Sequence, residues 1–388
     1  VDVLTRLTET RRVYLPEGRI PVEGTVFRQP ALATTLREVA SAGADYMYEG
    51  AWAERFVDQV SAEGGRVTLE DLASYEAVWA EPICFEYAAN TLCTLGARDA
   101  GGIALGESML VANEVRLRDR GGYLDTPDAV YWLLRSQQTG SLMTYLPWLL
   151  PKDPTFANDR LAGVEPSVAA RMSRAQAAAI VEHIETGRFD AMLREWGEAY
   201  ESSSHSDGVV VIDGQGNVVA LTHTINTSRW GTTGLNVDGV SVPDSASFQQ
   251  GAVHLAGPGG YLPSILNPTI VSDEERVNLA ATTIGHPHFA MFSHLHGILD
   301  HGFTVEEMVT SPIIDGTGPF EEFIPPGAVD ARVVDAVRAR GLPIRTENGR
   351  QRSFWLGAQW NAAAEQWDGA VTPSLRAVGG GRYTPLTE

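Results

Sequence analysis

The sequence predicts an α+β protein with stacked sheets, and three observations lead to that prediction. Apolar residues at helical spacing fill 32–62 and 166–198. From residue 206 onward the pattern changes to short, alternating apolar runs separated by tight turns. Helical patterns return at 286–312 before a final β-type stretch, so predicted helices lie on both sides of a β-rich centre.

Composition limits the classes of function. The 388 residues are 44% hydrophobic and 20% charged, which suits one large domain or two moderate ones. A net charge of −20 disfavours binding to nucleic acid and to anionic membranes. We therefore expect no nucleic-acid partner, and no motif indicates a cofactor. The Gly-rich stretch at 96–102 lacks the Gly-Lys-Ser/Thr ending of a phosphate-binding loop, so it predicts no phosphate site.

Elements of the first half follow from local signals. The 32–62 helical region breaks at Gly43, and 65–75 forms a turn and a short helix with a capping box of Thr68 and Asp71. Residues 77–96 alternate as a strand pair, and 96–115 form a glycine-rich turn that enters a helix. Cys84 and Cys93 lie in this strand pair, where either a disulfide or, as the preferred alternative, two buried thiols is compatible with the sequence.

Elements of the second half are mostly β. Residues 208–213 and 218–226 form a hairpin around the turn at 214–217, and this is the best hairpin signal in the chain. A second strand pair, 267–272 and 276–285, flanks the turn at 273–275. Helices are predicted at 286–302 and 304–312, and 353–373 returns to β.

A serine-rich segment at 202–206 immediately precedes the first hairpin strand and suggests a cleavage point. If the chain is cut before a serine, the hydroxyl and a free α-amino group belong to the same residue. That amine, whose ordinary pKa is about 7.7–8.0, is partly neutral at pH 7 and can act as the base. Such a nucleophile needs no separate His–Asp pair.

The chain resembles the γ-glutamyltransferases of the N-terminal nucleophile (Ntn) hydrolases over nearly its whole length. Residues 27–83, beginning FRQPALATTL, resemble that family's QPxLAxTL segment, and 216–234, GNVVALTHTINTSRWGTTG, resemble GNAVAxTxTLNTxFGSG. The stretch that begins at 96, GARDAGGIAL, resembles a family loop near the active site, which implies that Arg98 and Asp99 lie near that site. The resemblance implies a four-layer αββα sandwich with two stacked, mainly antiparallel sheets. It also implies a large-subunit-like region, 1–205, and a small-subunit-like region, 206–388, made from one precursor and together forming one domain.

The same resemblance identifies a nucleophile. Anchored on Gly216 and Asn217 without gaps, the family's catalytic Thr falls on Ser206, so the predicted cut lies between His205 and Ser206. A rival alignment places the nucleophile at 203–204, but it needs an insertion that would reverse the faces of the strand. The chain is thus expected to be a self-processing Ntn-type amidohydrolase or acyltransferase.

Four further catalytic or substrate positions transfer from the family. Thr224 would orient the nucleophile, and Asn226 would contact the substrate. Gly285 and His286 fall where the family's Gly-Gly pair supplies the backbone N–H groups of the oxyanion hole. His286, His288, His294 and His296 also invite a metal interpretation, but on a helix the last three point to different sides, so no metal is predicted.

Departures from the family pattern concern the substrate. The acidic position that binds the α-amino group becomes Ser247, with Asp244 nearby, and the Ser-Ser pair that binds the α-carboxylate becomes Ser264-Ile265. Unpaired substrate charges are costly to bury, so glutathione is not the expected substrate. A different, apolar acyl group of a small amide or peptide is preferred, with Phe248, Ile265 and Tyr261 as its predicted pocket.

Other functions remain compatible with the sequence. One is a non-catalytic relative that serves as a scaffold or binding partner, and another is a true γ-glutamyltransferase with altered contacts. A homo-oligomer is also compatible with the sequence. The resemblance favours the periplasm or the cell exterior, although the residues themselves do not determine a compartment.

Overall fold

The structure is a computed structural model that describes residues 2–96, 99–149, 163–165, 167–195, 206–225, 233–243, 253, 256–262, 264–285, 287–316, 322–346 and 353–373. The chain divides into two compact units. The first comprises Val1–Trp79 with Thr224–Gln250, and the second comprises Ala80–His223 with Gly251–Glu388.

The helices, in chain order, are α1 (Asp2–Arg6), α2 (Thr8–Tyr14), α3 (Pro30–Ala42), α4 (Asp45–Tyr48), α5 (Ala51–Ala62), α6 (Leu69–Ala73), α7 (Ala100–Glu114), α8 (Pro127–Leu149), α9 (Val168–Arg171), α10 (Arg174–Glu185), α11 (Arg188–Glu195), α12 (Pro287–His301), α13 (Val305–Thr310) and α14 (Ala331–Ala339). The strands are β1 (Ile83–Tyr87), β2 (Asn90–Thr94), β3 (Asp207–Ile212), β4 (Val218–His223), β5 (Leu235–Val237), β6 (Val240–Val242), β7 (Thr269–Ser272), β8 (Val277–Gly285), β9 (Asp315–Gly316), β10 (Glu322–Phe323), β11 (Ile344–Arg345), β12 (Ser353–Asn361) and β13 (Gln366–Val371).

The first unit packs helices around the small β5–β6 hairpin. Side chains of these helices donate hydrogen bonds to the hairpin backbone: Trp52 Nε1 to the carbonyl of Val237 at 3.1 Å, and Thr35 Oγ1 to that of Asp238 at 2.9 Å. Arg55 also pairs with the carboxylate of Asp238. These bonds satisfy backbone carbonyls at the hairpin turn and so fix it to α3 and α5.

A six-stranded antiparallel sheet organises the second unit, in the order β1-β2-β7-β8-β12-β13. Helices α7 and α12 pack against one face, α8 packs on these two helices, and the side chains of all three share one apolar core with the sheet. Because side chains alternate along a strand, Leu279 and Ala281 of β8 face these helices, while Ala280 and Thr282 face the other way. Both sets are buried, so the central strands are covered on both sides.

The β3–β4 hairpin covers the opposite face of this sheet. Gly208 lies against Thr282 and Leu356, which are register partners on β8 and β12. The outer face of the hairpin is exposed and carries Val209, Val211, Val219 and Leu221. In this unit the described residues therefore form three layers: helices, the six-stranded sheet and the hairpin.

Most sequence-based elements are confirmed. The capping box of Thr68 and Asp71 is present, both predicted hairpins have their expected strands, and the 32–62 helical region breaks near Gly43. The preference for two buried thiols is wrong, because Cys84 and Cys93 are register partners on β1 and β2 and form a disulfide. No helix of the described residues is both long and apolar enough to cross a membrane.

Candidate active site

The open end of the β3–β4 hairpin holds the predicted nucleophile. Ser206 is half-buried and immediately precedes β3, while Thr224 immediately follows β4. The adjacent strand residues, Asp207 and His223, are register partners. Strand β3 begins at the residue after Ser206 and pairs with β4 without a bulge from 207 to 212.

Close contact holds this end of the hairpin on the sheet. A Cβ atom on Gly208 would lie 2.5 Å from Thr282 Cγ2 and 3.0 Å from Leu356 Cδ2, so the approach requires glycine. Thr222, the register partner of Gly208, hydrogen-bonds through its hydroxyl to the hydroxyl of Thr282. The two strand residues nearest the open end on the sheet-facing side of the hairpin are thus fixed to one residue of β8.

Gly285, the predicted oxyanion donor, is the last residue of β8 and lies three residues after Thr282. It is the register partner of Ser353 at the start of β12. The hairpin contact and the predicted oxyanion donor therefore share one strand. Its predicted neighbour His286 lies outside the described residues.

A side-chain contact at the open end was missed by the sequence analysis. His223 Nδ1 lies 2.9 Å from Asp207 Oδ1, and both side chains are largely exposed. Because the hairpin turn fixes this register, the sequence could have predicted that Asp207 and His223 lie opposite each other. By strand alternation both side chains point away from the sheet, whereas Gly208 and Thr222 face it. Ser206 lies two residues before Gly208, so the same alternation, continued beyond β3, would place the predicted nucleophile on the sheet-facing side, opposite to the pair.

Ser264, a predicted substrate contact, is joined to the beginning of α7. Asp99 and Ser264 form an isolated parallel β-bridge, and the Gly101 N–H donates to the Ser264 carbonyl at 3.2 Å. The Ser264 hydroxyl accepts from the Leu266 N–H at 3.2 Å. A side chain at Gly101 would overlap the backbone of Ile265 and Leu266, so glycine permits this approach.

Asp99 occupies the N-cap position of α7 but does not cap it with its side chain. Desolvation raises the pKa of the Asp99 carboxyl, and the hydrogen bond from Ser264 partly opposes this effect. Asp99, Ser264 and Ile265 are all only partly buried, so a ligand can reach them.

Several predicted site residues lie outside the described residues, namely His205, Asn226, Asp244, Ser247, Phe248 and His286. Tyr261, a predicted pocket residue, is exposed, while its predicted neighbour Ile265 is half-buried. The structure thus brings Ser264 to Asp99, and it joins the hairpin that follows Ser206 to the strand that ends at Gly285.

His294 and His296 of α12 contact different partners. His294 stacks on Trp355 with ring centroids 4.6 Å apart, and burial lowers its pKa to about 4. His296 Nδ1 lies 2.7 Å from Asp300 Oδ2, and its Nε2 lies 3.2 Å from His301 Nε2. Among the described residues no group of three or more His, Cys, Asp or Glu side chains has a geometry that could hold a metal ion.

The sequence is similar to those of known proteins. Residues 1–373 match the family described as gamma-glutamyltranspeptidase. The glutathione hydrolase proenzyme of Pseudomonas aeruginosa is 27% identical over 317 residues, covering 74% of this chain and 52% of that protein. The oxamate amidohydrolase proenzyme of Klebsiella pneumoniae is 39% identical over 92 residues, covering 24% of this chain and 17% of that protein.

Solved structures share the fold. The crystal structure of cephalosporin acylase from Bacillus halodurans superposes with a TM-score of 0.69 at 18% identity, covering 96% of this chain and 67% of that one. At that identity the likeness concerns the fold alone. The chain spans about half the length of the first two curated relatives it matches, 52% and 54%.

Proposed function

The chain belongs to the gamma-glutamyltranspeptidase family, and from that premise we propose that it is a self-processing Ntn-type amidohydrolase or acyltransferase whose nucleophile is Ser206. The observation that supports this assignment best is the gap-free register of the β3–β4 hairpin, which begins one residue after Ser206 and is fixed to β8 by Gly208 and Thr222. We propose that its complete fold is the four-layer αββα sandwich of the Ntn hydrolases.

Maturation begins when Ser206 Oγ attacks the carbonyl carbon of His205. A C–O bond forms, the His205–Ser206 C–N bond breaks, and the freed nitrogen takes the hydroxyl proton, which gives an ester and an α-amine. Water then hydrolyses the ester to a His205 carboxylate and a regenerated Ser206 hydroxyl. The products are a large and a small subunit from one precursor, as the word proenzyme in the names of the relatives implies for those proteins.

Turnover uses the same side chain. The Ser206 amine accepts the hydroxyl proton while Oγ attacks the substrate amide carbonyl, and the proton then passes to the leaving amine. Water or a second amine resolves the resulting acyl ester. Backbone N–H groups at Gly285 and His286 stabilise the oxyanion, Thr224 orients the nucleophile, and Asn226 contacts the substrate.

The proposed substrate is a small amide or peptide whose acyl group differs from γ-glutamyl. Ser247 stands at the position of the family's amino-binding acid, with Asp244 three residues before it, and Ile265 replaces one of the two carboxylate-binding serines. A γ-glutamyl group carries both an ammonium and a carboxylate, and each lacks a full complement of partners.

The test compares Ser206→Ala with the matched control Ser204→Ala in the full chain. We expect the wild type and Ser204→Ala to give two bands on a denaturing gel and a burst of product from an activated amide. Ser206→Ala should remain one band and show no burst. A Ser206→Ala protein that still splits and turns over would refute the assignment.

The gel and an activity assay together distinguish the alternative functions. A wild-type chain that never splits and shows no burst would indicate a non-catalytic scaffold. Rapid release of nitroaniline from a γ-glutamyl anilide would instead identify a true γ-glutamyltransferase with altered substrate contacts.

A further inference from the structure

Asp99 is an aspartate at a helix N-cap whose carboxylate does not cap the helix. Such a residue normally accepts a hydrogen bond from the second or third N–H of the helix. Here the second N–H, that of Gly101, donates to the backbone carbonyl of Ser264 instead. The Asp99 carboxylate is thereby available for another contact, and the bridge partner of Asp99 is the hydroxyl-bearing Ser264.

That contact uses the hydrogen-bond donor that a substrate carboxylate would need. A serine hydroxyl has one O–H donor, and the carboxylate of its bridge partner Asp99 is the neighbouring acceptor for it, while the Ser264 oxygen accepts from the Leu266 N–H. The neighbouring position is Ile265, which has no side-chain donor. A carboxylate brought to Ser264 would therefore meet an engaged hydroxyl and a second negative charge at contact distance.

We propose that Asp99 is a specificity-determining residue that excludes acyl groups bearing a carboxylate and admits neutral or ammonium-bearing ones. The inference rests on the proposed function, because it assumes that Ser264 and Ile265 contact the acyl group. The partial exposure of Asp99, Ser264 and Ile265 leaves the pair accessible to that group.

A purely structural role for Asp99 predicts different behaviour from an electrostatic one. In Asp99→Asn the amide oxygen still accepts the hydrogen bond from Ser264, so the attachment of the 264–266 loop to α7 is preserved while the charge is removed. A change in substrate selectivity in this variant therefore reports the charge and not the loop attachment. Asp119→Asn, at an exposed carboxylate in the same unit, is the matched control.

The experiment measures kcat/KM for three anilides of similar length: pentanoyl, glutaryl and 5-aminopentanoyl p-nitroanilide. Wild type and Asp119→Asn should prefer the pentanoyl and 5-aminopentanoyl substrates to the glutaryl one. Asp99→Asn should raise the glutaryl-to-pentanoyl ratio at least tenfold and lower the 5-aminopentanoyl-to-pentanoyl ratio. Chain splitting on a gel verifies that each variant is folded and mature.

Two outcomes would overturn the inference, and they differ from each other. If Asp99→Asn splits and turns over pentanoyl anilide with both ratios within twofold of wild type, Asp99 does not select the acyl group, although the proposed function stands. If the wild type neither splits nor releases nitroaniline from any of the three substrates, the proposed function fails and the inference fails with it.

Discussion

The hydroxyl groups of Thr222 and Thr282 hydrogen-bond to each other and join the β3–β4 hairpin to the central strand β8. Thr282 is fully buried and Thr222 partly so. Removing one hydroxyl leaves the other without its partner, which costs about 1–3 kcal/mol, whereas removing both is closer to neutral. This bond is therefore expected to contribute to the attachment of the hairpin that follows Ser206.

Thr222→Val should lower the free energy of unfolding by about 1–3 kcal/mol, and Thr222→Val/Thr282→Val should lose less than the sum of the two single variants. Urea denaturation of all three variants measures the coupling. Additive losses would show that the two hydroxyl groups do not interact in the folded protein.

Gly208→Ala should weaken the same attachment by overpacking. Its new Cβ would meet Thr282 Cγ2 at 2.5 Å, and such overpacking typically costs about 1–3 kcal/mol. We also expect slower chain splitting, because the residue lies two positions from Ser206. The matched control is Gly214→Ala in the hairpin turn, where an added Cβ meets nothing within 4 Å. Equal splitting rates in the two variants would contradict this account of the hairpin.

A buried ion pair in the second unit gives a third prediction. The Arg171 guanidinium donates to Glu107 Oε2 from Nη2 at 2.9 Å and from Nε at 3.1 Å, and both side chains are almost fully buried. Burial raises the pKa of Glu107, so the paired arginine is what favours its charge. Arg171→Met should lower the free energy of unfolding by about 3–5 kcal/mol.

Two variants control this prediction. Arg332→Met, at the exposed pair with Asp330, should leave the free energy of unfolding nearly unchanged. Glu107→Leu/Arg171→Met should recover much of the loss, because no uncompensated charge remains. A loss in Arg171→Met no larger than in Arg332→Met would mean that the buried pair is not formed.

The buried His294 predicts how stability depends on pH. Its folded pKa of about 4 lies below its ordinary value of 6.5, so between these values the unfolded chain binds more protons than the folded one. The contribution of His294 to the free energy of unfolding is fully present above pH 6.5. It falls by about 3 kcal/mol as the pH drops to 4. His294→Phe keeps an aromatic ring beside Trp355 and removes the titration. Denaturation at a series of pH values should give a flatter curve for the variant; parallel curves would count against a buried, neutral His294.

The elements that the sequence predicted share a visible local signal. The β3–β4 hairpin has alternating apolar residues and a Gly-Gln-Gly-Asn turn, and the structure has it in the expected place. Helix α8 has no such signal, because its first half is buried almost all round and includes Arg135 and Gln137, so no apolar stripe marks it. Strands β9, β10 and β11 are two residues long and depend on pairing between distant segments.

The candidate site also has a part that a local signal predicts and a part that depends on contacts between distant segments. The place of Ser206 at the open end of the β3–β4 hairpin was predictable because the hairpin turn fixes the register relative to Gly216 and Asn217. Its role as nucleophile stays a prediction from the family pattern. The bond between Asp99 and Ser264 was not, because it joins a helix N-terminus to a loop far along the chain and requires a glycine at 101 to let them approach. The sequence placed Asp99 near the site but gave no indication of its partner.

The central claim is that the nucleophile becomes a chain terminus. N-terminal sequencing of the purified, active protein, combined with intact mass, tests it most directly. The account predicts a second terminus that begins Ser206-Asp207-Gly208-Val209, with two masses that sum to the uncut chain plus one water. A terminus at Ser203 or Ser204, or an active protein consisting of one unbroken chain, would contradict it.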